Sequence, residues 1–218
     1  AHAKRGVEVP HWLHQATLSA LKKPCPTVEI YEGRIFDIGR ARQALAEDFM
    51  RMPEATHLLF VDDDIVAPNP NSLLDMFHFL ETRSESIVSG LYYEKSPARG
   101  AGMVCPECGA RKNRPLILAM EERASDGKII FGFPHANKEP PRSGMIKVGA
   151  VPAGFLMIKR DVFERIEKPW FVYADNELTA RQAAGCDASP FGEDVYFSLK
   201  ARKAGFSLWI DCRAELLH

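Results

Sequence analysis

Residues 57–68 read HLLFVDDDIVAP, an apolar run broken by three consecutive aspartates. Asp62, Asp63 and Asp64 repel one another, and the end of a strand leaving a core is a costly place for three charges. A cation, basic side chains or water must compensate them. If strand alternation continues through the triplet, Asp62 and Asp64 point one way and Asp63 the other. The resulting D-x-D pair supplies two hard oxygen ligands suited to Mg²⁺ or Mn²⁺ carrying a substrate phosphate. The plain alternative is a solvated acidic loop tip.

A second acidic pair stands in PFGEDVYFSLKARKAG (190–205). Glu193 and Asp194 fall in the first turn of a helix, where the macrodipole favours anions, and capping alone is the simple reading. The pair also follows Gly192 and a loop carrying Cys186, Asp187, Ser189 and Pro190. Such an acidic entrance can hold a general base beside a bound hydroxyl. His218 follows the strand SLWIDC and a short acidic turn. A lone terminal histidine signifies little; beside two carboxylates it is a sensible third metal ligand.

Alternating elements must position these residues. Helical spacing marks 12–23, 39–52 (ended by Pro53), 69–83 with Asn71 or Ser72 as N-cap, and an amphipathic helix at 193–205 with Gly205 at C′. TVEIYEG (27–33), HLLFVD (57–62), SIVSGLYY (86–93) and SLWIDC (207–212) read as strands. The continuous apolar run HLLFVD predicts a strand covered on both faces. MIKVGAVPAGFLMIKRDVFERI (145–166) predicts a strand, a Gly-containing bend, a second strand and a helix begun at Asp161. Between 94 and 141 lies an irregular, Gly/Pro-rich insertion with short strands at 115–120 and 128–133. The alternation predicts an α/β fold with a mostly parallel sheet flanked by helices.

The composition fits one globular domain over residues 1–218: 46% hydrophobic, with 28 basic residues against 29 acidic ones. No charge run suggests a nucleic-acid surface, and no apolar stretch is long enough to span a bilayer. AHAKRGVEVPHW carries no signal-peptide pattern, and the abrupt start and the end on ELLH suggest a piece of something longer. Five scattered cysteines are not a disulfide framework. Together these predict a reducing, cytoplasmic setting, at most peripheral to a membrane.

In this order, IGRARQALAEDFM, HLLFVDDDIVAPNPNSLLDMF, SIVSGLYY, VGAVPAGFLMIKRDVFERI and GEDVYFSLKARKAGFSLWID resemble the GT-A fold glycosyltransferases, especially the family-2-like enzymes that use nucleotide-sugars. The resemblance covers roughly residues 10–218. Gln43 stands where asparagine is commoner, and GVEVP (6–10) is only a fragment of the usual opening strand. The resemblance implies a Rossmann-like GT-A sheet and a D-x-D motif of Asp62 and Asp64, with Asp64 the more direct metal ligand. Asp62 then lies nearer the ribose or sugar, with Asp63 between them, and His218 completes the metal site. Asp194 is implied as the catalytic base with Glu193 beside it, and Gly149–Gly154 as lining for the acceptor or sugar. Arg42 is implied as a contact to the diphosphate, an exposed arginine being the plain alternative.

The implied reaction is metal-dependent transfer from a UDP- or GDP-linked sugar to an acceptor hydroxyl on a glycan, lipid or protein, with inversion. A divalent cation would stabilise the departing diphosphate while Asp194 takes the acceptor proton. Two alternatives stand beside it: a nucleotidyltransferase, which normally carries a Gly-rich basic loop absent here, and an inactive nucleotide- or glycan-binding module of the same fold. Separately, VCPECGARKNRP holds Cys105 and Cys108 in a C-P-x-C-G knuckle, half of a structural Zn²⁺ site. Cys25, Cys186, Cys212 and His135 are the available partners; reduced thiols in a turn are the alternative.

Overall fold

The computed structural model describes residues 38–62, 65, 69, 71–92, 144–174 and 191–216, with the backbone of four short strands between 103 and 132. The expected helix at 12–23 and strand at 27–33 lie outside the described residues. So do Asp63, Asp64, His218, the Cys105–Cys108 pair, Cys25, Cys186 and His135.

The chain forms α1 (Ile38–Met50), β1 (His57–Val61), α2 (Ser72–Arg83) and β2 (Ile87–Leu91). The insertion holds two small antiparallel ladders, β3 (Met103–Val104) with β4 (Arg111–Lys112), and β5 (Ala119–Glu122) with β6 (Ile129–Gly132). Then come β7 (Met145–Val148), β8 (Phe155–Lys159), α3 (Arg160–Arg165), α4 (Glu193–Lys203) and β9 (Leu208–Glu215). The principal sheet has five strands in the order β1-β8-β2-β9-β7.

The fold is α/β, as the alternation predicts, but the sheet is mixed. Only β2 and β9 pair in parallel; β1–β8, β8–β2 and β7–β9 pair antiparallel. The expectation of a mostly parallel sheet is therefore corrected. Its cause is visible in the burial. Leu58 and Phe60 of β1, Leu156 and Ile158 of β8 and Ile87 and Leu91 of β2 pack into one core, with residues of α1, α3 and α4. The alternate residues Leu59, Val61, Phe155, Met157, Val88 and Tyr92 pack into the other, with Met76 and Leu80 of α2. A strand covered on both faces is apolar throughout whichever way it runs, so its composition reports coverage and not direction.

Strands β1, β2 and β9 still run the same way, because β8 is antiparallel to both β1 and β2. Their carboxyl ends, together with the start of β8, form one edge of the sheet. At that edge the β2–β9 register shifts between Gly90, opposite Asp211, and Leu91, opposite Glu215. This bulge lets β9 run on, with Leu216 N–H donating to Leu91 C=O at 2.9 Å. Gly90 makes room here: a Cβ would meet Leu216 Cδ1 at 2.7 Å and push that buried side chain aside.

Helix ends follow local chemistry. Asn71 occupies the N-cap of α2 but makes no side-chain cap; Asn69 Oδ1 instead accepts from Asn71 N–H at 2.9 Å. α4 closes in a Schellman motif, with Gly205 N–H donating to Arg202 C=O (2.8 Å) and Phe206 N–H to Ala201 C=O (3.0 Å). Gly205 has φ +91°, so glycine at C′ serves the role its position predicts. α4 is buried over more than one stripe: Val195, Phe197, Ser198, Leu199 and Ala201 are all covered. It is thus less amphipathic than its lysines and arginines imply.

Candidate functional site

Helix α1 buries Gly39, Arg42, Ala46 and Phe49, one face at helical spacing. A guanidinium therefore sits in the middle of a core-facing stripe. Arg42 is only 6% exposed, which removes the alternative of an exposed surface arginine. Its Nη2 donates to Asp62 Oδ1 at 2.8 Å and Oδ2 at 3.0 Å, and its Nη1 donates to Glu193 Oε1. One cation joins two acidic motifs separated by 131 positions (193 − 62).

Asp62 follows β1 and keeps that strand's alternation, lying on the same side as Leu58 and Phe60 and hence toward α1 and α4. Its N–H donates to Gly154 C=O at 2.7 Å. Ile65 N–H donates to Asp62 C=O at 3.2 Å. The carboxylate rests on Gly154, where a Cβ would come within 2.5 Å of Asp62 Oδ2 and 2.6 Å of the Tyr92 hydroxyl oxygen. Any side chain at 154 would have to displace the Asp62 carboxylate or the Tyr92 hydroxyl.

The 149–154 bend is held from below. Ser89 hydroxyl donates to Pro152 C=O at 2.9 Å, and Val151 N–H donates to Ser198 Oγ at 3.1 Å. The small residues here serve the bend, and the whole stretch from Gly149 to Gly154 is buried. It is a floor beneath Asp62.

Glu193, 4% exposed, is not a cap: Gly192 is the N-cap residue and makes no side-chain bond, while the Glu193 carboxylate turns inward to Arg42. Asp194 is partly buried and accepts from Val195 N–H at 2.7 Å. Burial, and then the adjacent Glu193 charge, push its carboxyl up to about 6, against smaller opposing pulls from the Val195 amide and Arg42. A carboxylate tuned toward neutrality is what a general base near pH 7 requires. Gly192 leaves it room, since a Cβ there would meet Asp194 Oδ1 at 2.9 Å.

Several supporting residues carry no motif. Gln43 Oε1 accepts from Trp170 N–H (2.7 Å) and Phe171 N–H (3.2 Å), while its Nε2 donates to Glu47 at 2.9 Å. It pins the segment that reaches Ala174, which bridges to Phe191 just ahead of Gly192. Tyr92, Ser89 and Ser198 were missed as parts of the site, and Gln43 was noted only as a departure from the family's usual asparagine. Only the i, i+3, i+7, i+10 burial spacing of α1 (39, 42, 46, 49) was available as a signal, and it points to Arg42.

Among the described residues no cluster of three or more His, Cys, Asp or Glu side chains could hold a metal ion. Asp62 is already engaged by Arg42. The oxygen and imidazole donors proposed from the sequence suit Mg²⁺ or Mn²⁺; Asp64 and His218, which would complete the set, lie outside the described residues. Cys212 is buried in the core, and burial, with Asp211 next to it, pushes its thiol up to about 11.

No family model and no curated protein matches the chain. Among solved structures it is similar to A197 from STIV, with a TM-score of 0.50 at 19% identity, over 87% of this chain and 71% of that one. The likeness concerns the fold alone. Among the described residues no helix is long and apolar enough to cross a membrane.

Proposed function

We propose that the protein is a divalent-cation-dependent glycosyltransferase of the GT-A type, moving a sugar from a UDP- or GDP-linked donor to an acceptor hydroxyl. The observation that carries this reading is the junction of the two acidic motifs through buried Arg42, with Asp194 held near pH 6 beside them. An ion pair with only a structural purpose needs no adjacent carboxyl tuned toward proton transfer.

Asp194 is the base. It accepts the proton of the acceptor hydroxyl at a carboxylate oxygen as that hydroxyl attacks the anomeric carbon, and inversion follows from attack opposite the leaving diphosphate. Asp64 and His218, with Asp62 beside them, would hold the Mn²⁺ or Mg²⁺, which when bound supplies Lewis-acid stabilisation of the diphosphate. Glu193 keeps Asp194 basic by its charge, and Gly154 sets the floor against which Asp62 is fixed. The acceptor, whether glycan, lipid or protein, is set by neither acidic motif.

The test is thermal stabilisation by nucleotides. UDP or GDP should raise the melting temperature with Mn²⁺ and not with EDTA. Preference for nucleoside triphosphates would favour a nucleotidyltransferase, and binding without turnover of any nucleotide-sugar would favour an inactive module.

A further inference from the structure

We propose that Tyr173 is the stacking platform of the acceptor site, and that the acceptor is a glycan offering one C–H face of a pyranose ring to it. The inference deepens the transferase reading above and rests on it for the reaction, while the platform itself is tested by binding alone.

Among the described residues four large hydrophobic side chains are exposed, and they fall into two groups. Leu74 and Phe77 lie on α2, which packs into the core on one side of the sheet. The other two belong to the opposite side, where the acidic junction is. Ile38, 39% exposed, stands one turn from Arg42 on the same face of α1. Tyr173, 42% exposed, follows the segment that Gln43 holds at Trp170 and Phe171.

The backbone sets Tyr173 beside the base. Ala174 N–H donates to Phe191 C=O at 3.1 Å and Phe191 N–H to Ala174 C=O at 3.0 Å, an antiparallel bridge with both bonds made. One step along that register sets Tyr173 opposite Gly192. Opposed residues of such a pair carry their Cβ atoms on one face, about 5 Å apart. Gly192 has no Cβ, and the place one would take is 2.9 Å from Asp194 Oδ1. Tyrosine and carboxylate therefore border the same space, and glycine keeps it open.

A hydroxyl that gives its proton to Asp194 must be oriented by the rest of its own molecule. A pyranose has an apolar C–H face with hydroxyls around its rim. Laid on the Tyr173 ring, its C–H dipoles meet the negative aromatic face while a rim hydroxyl reaches Asp194. A prenyl or acyl chain would instead need a continuous apolar surface, and Ile38 and Tyr173 are the large exposed hydrophobics described on this side.

The experiment uses the full chain and a panel of methyl pyranosides (gluco, galacto, manno and N-acetylglucosamine forms). Saturation-transfer difference NMR reads binding, and Mn²⁺-dependent transfer from nucleotide-sugars to the same glycosides reads turnover. At least one glycoside should bind wild type, with its signal concentrated on the ring protons of one face. Tyr173→Ala should cut that signal at least about fivefold and raise the acceptor KM about tenfold, leaving the nucleotide-sugar KM unchanged. Tyr173→Phe should retain both, and each variant should melt within about 2 °C of wild type, as replacement of an exposed side chain allows.

Glycoside binding and acceptor KM unchanged in Tyr173→Ala overturn the platform. So does a wild type that binds no pyranoside, including one that glycosylates a prenyl alcohol or a Ser/Thr peptide instead. If wild type consumes no nucleotide-sugar, the transferase reading fails, and the NMR comparison of wild type, Tyr173→Ala and Tyr173→Phe decides the platform by itself.

Discussion

Asp194→Asn should make the protein more stable at neutral pH while removing its activity. The Asp194 carboxyl sits at about 6 in the fold against an ordinary value of 3.8, a difference of about two units. Each unit corresponds to about 1.4 kcal/mol, giving a ceiling of about 3 kcal/mol. Because part of the side chain faces solvent, about 2 kcal/mol is the working expectation. The sign follows from the direction of the shift. A raised carboxyl favours the folded state only while protonated, so its contribution is full below about pH 3.8 and is lost as pH rises through about 6. Above pH 6 the ionised wild type carries the whole penalty, and asparagine carries none. The amide oxygen can still accept from Val195 N–H, now at 2.7 Å, so the local bond survives. For a chain of this length the gain is about 4–8 °C in melting temperature at pH 8. The assay is urea denaturation of both proteins from pH 4 to 8. The advantage of the variant should shrink steadily below pH 6 and vanish near pH 4. A variant no more stable than wild type at pH 8, or an advantage independent of pH, refutes the reasoning.

Other outcomes follow from the same geometry. Arg42→Ala leaves Glu193 buried without a counter-charge and should cost about 3–5 kcal/mol in denaturant unfolding. Gly154→Ala forces its methyl into Asp62 and the Tyr92 hydroxyl, costing about 1–3 kcal/mol and lowering any transfer activity with it, while Ala153→Gly beside it spares both carboxylates. Gln43→Ala strips the Trp170 and Phe171 amides of their acceptor and should cost about 1–3 kcal/mol, read by the same unfolding. Cys212 should resist thiol reagents in the folded chain and react only after denaturation, as peptide mapping by mass spectrometry would show.

What the sequence shows depends on which physical rule writes it. Elements were legible because burial periodicity and stop signals are local: α2 and β1 fall within a few residues of where HLLFVD and NPNSLLDMF place them, and Gly205 closes α4 as its C′ position requires. Strand direction was not legible, since β8 is as apolar as β1 though it runs the opposite way. The acidic residues could be picked out by type, but their partners could not. Glu193 looked like a cap because its position in the first turn satisfies that rule, and only the fold brings Arg42 to it across 151 residues. Gly154 and Tyr92 carry no chemistry by type; their part comes from close approach to Asp62, a property of tertiary packing.

The most direct measurement of the central claim is Mn²⁺-dependent release of nucleoside diphosphate from a panel of nucleotide-sugars, run with wild type and Asp194→Asn side by side. Wild type should consume at least one UDP- or GDP-linked sugar, lose that turnover to EDTA, and lose it equally in the folded Asp194→Asn variant. Turnover that survives in Asp194→Asn, or that ignores EDTA, contradicts the account.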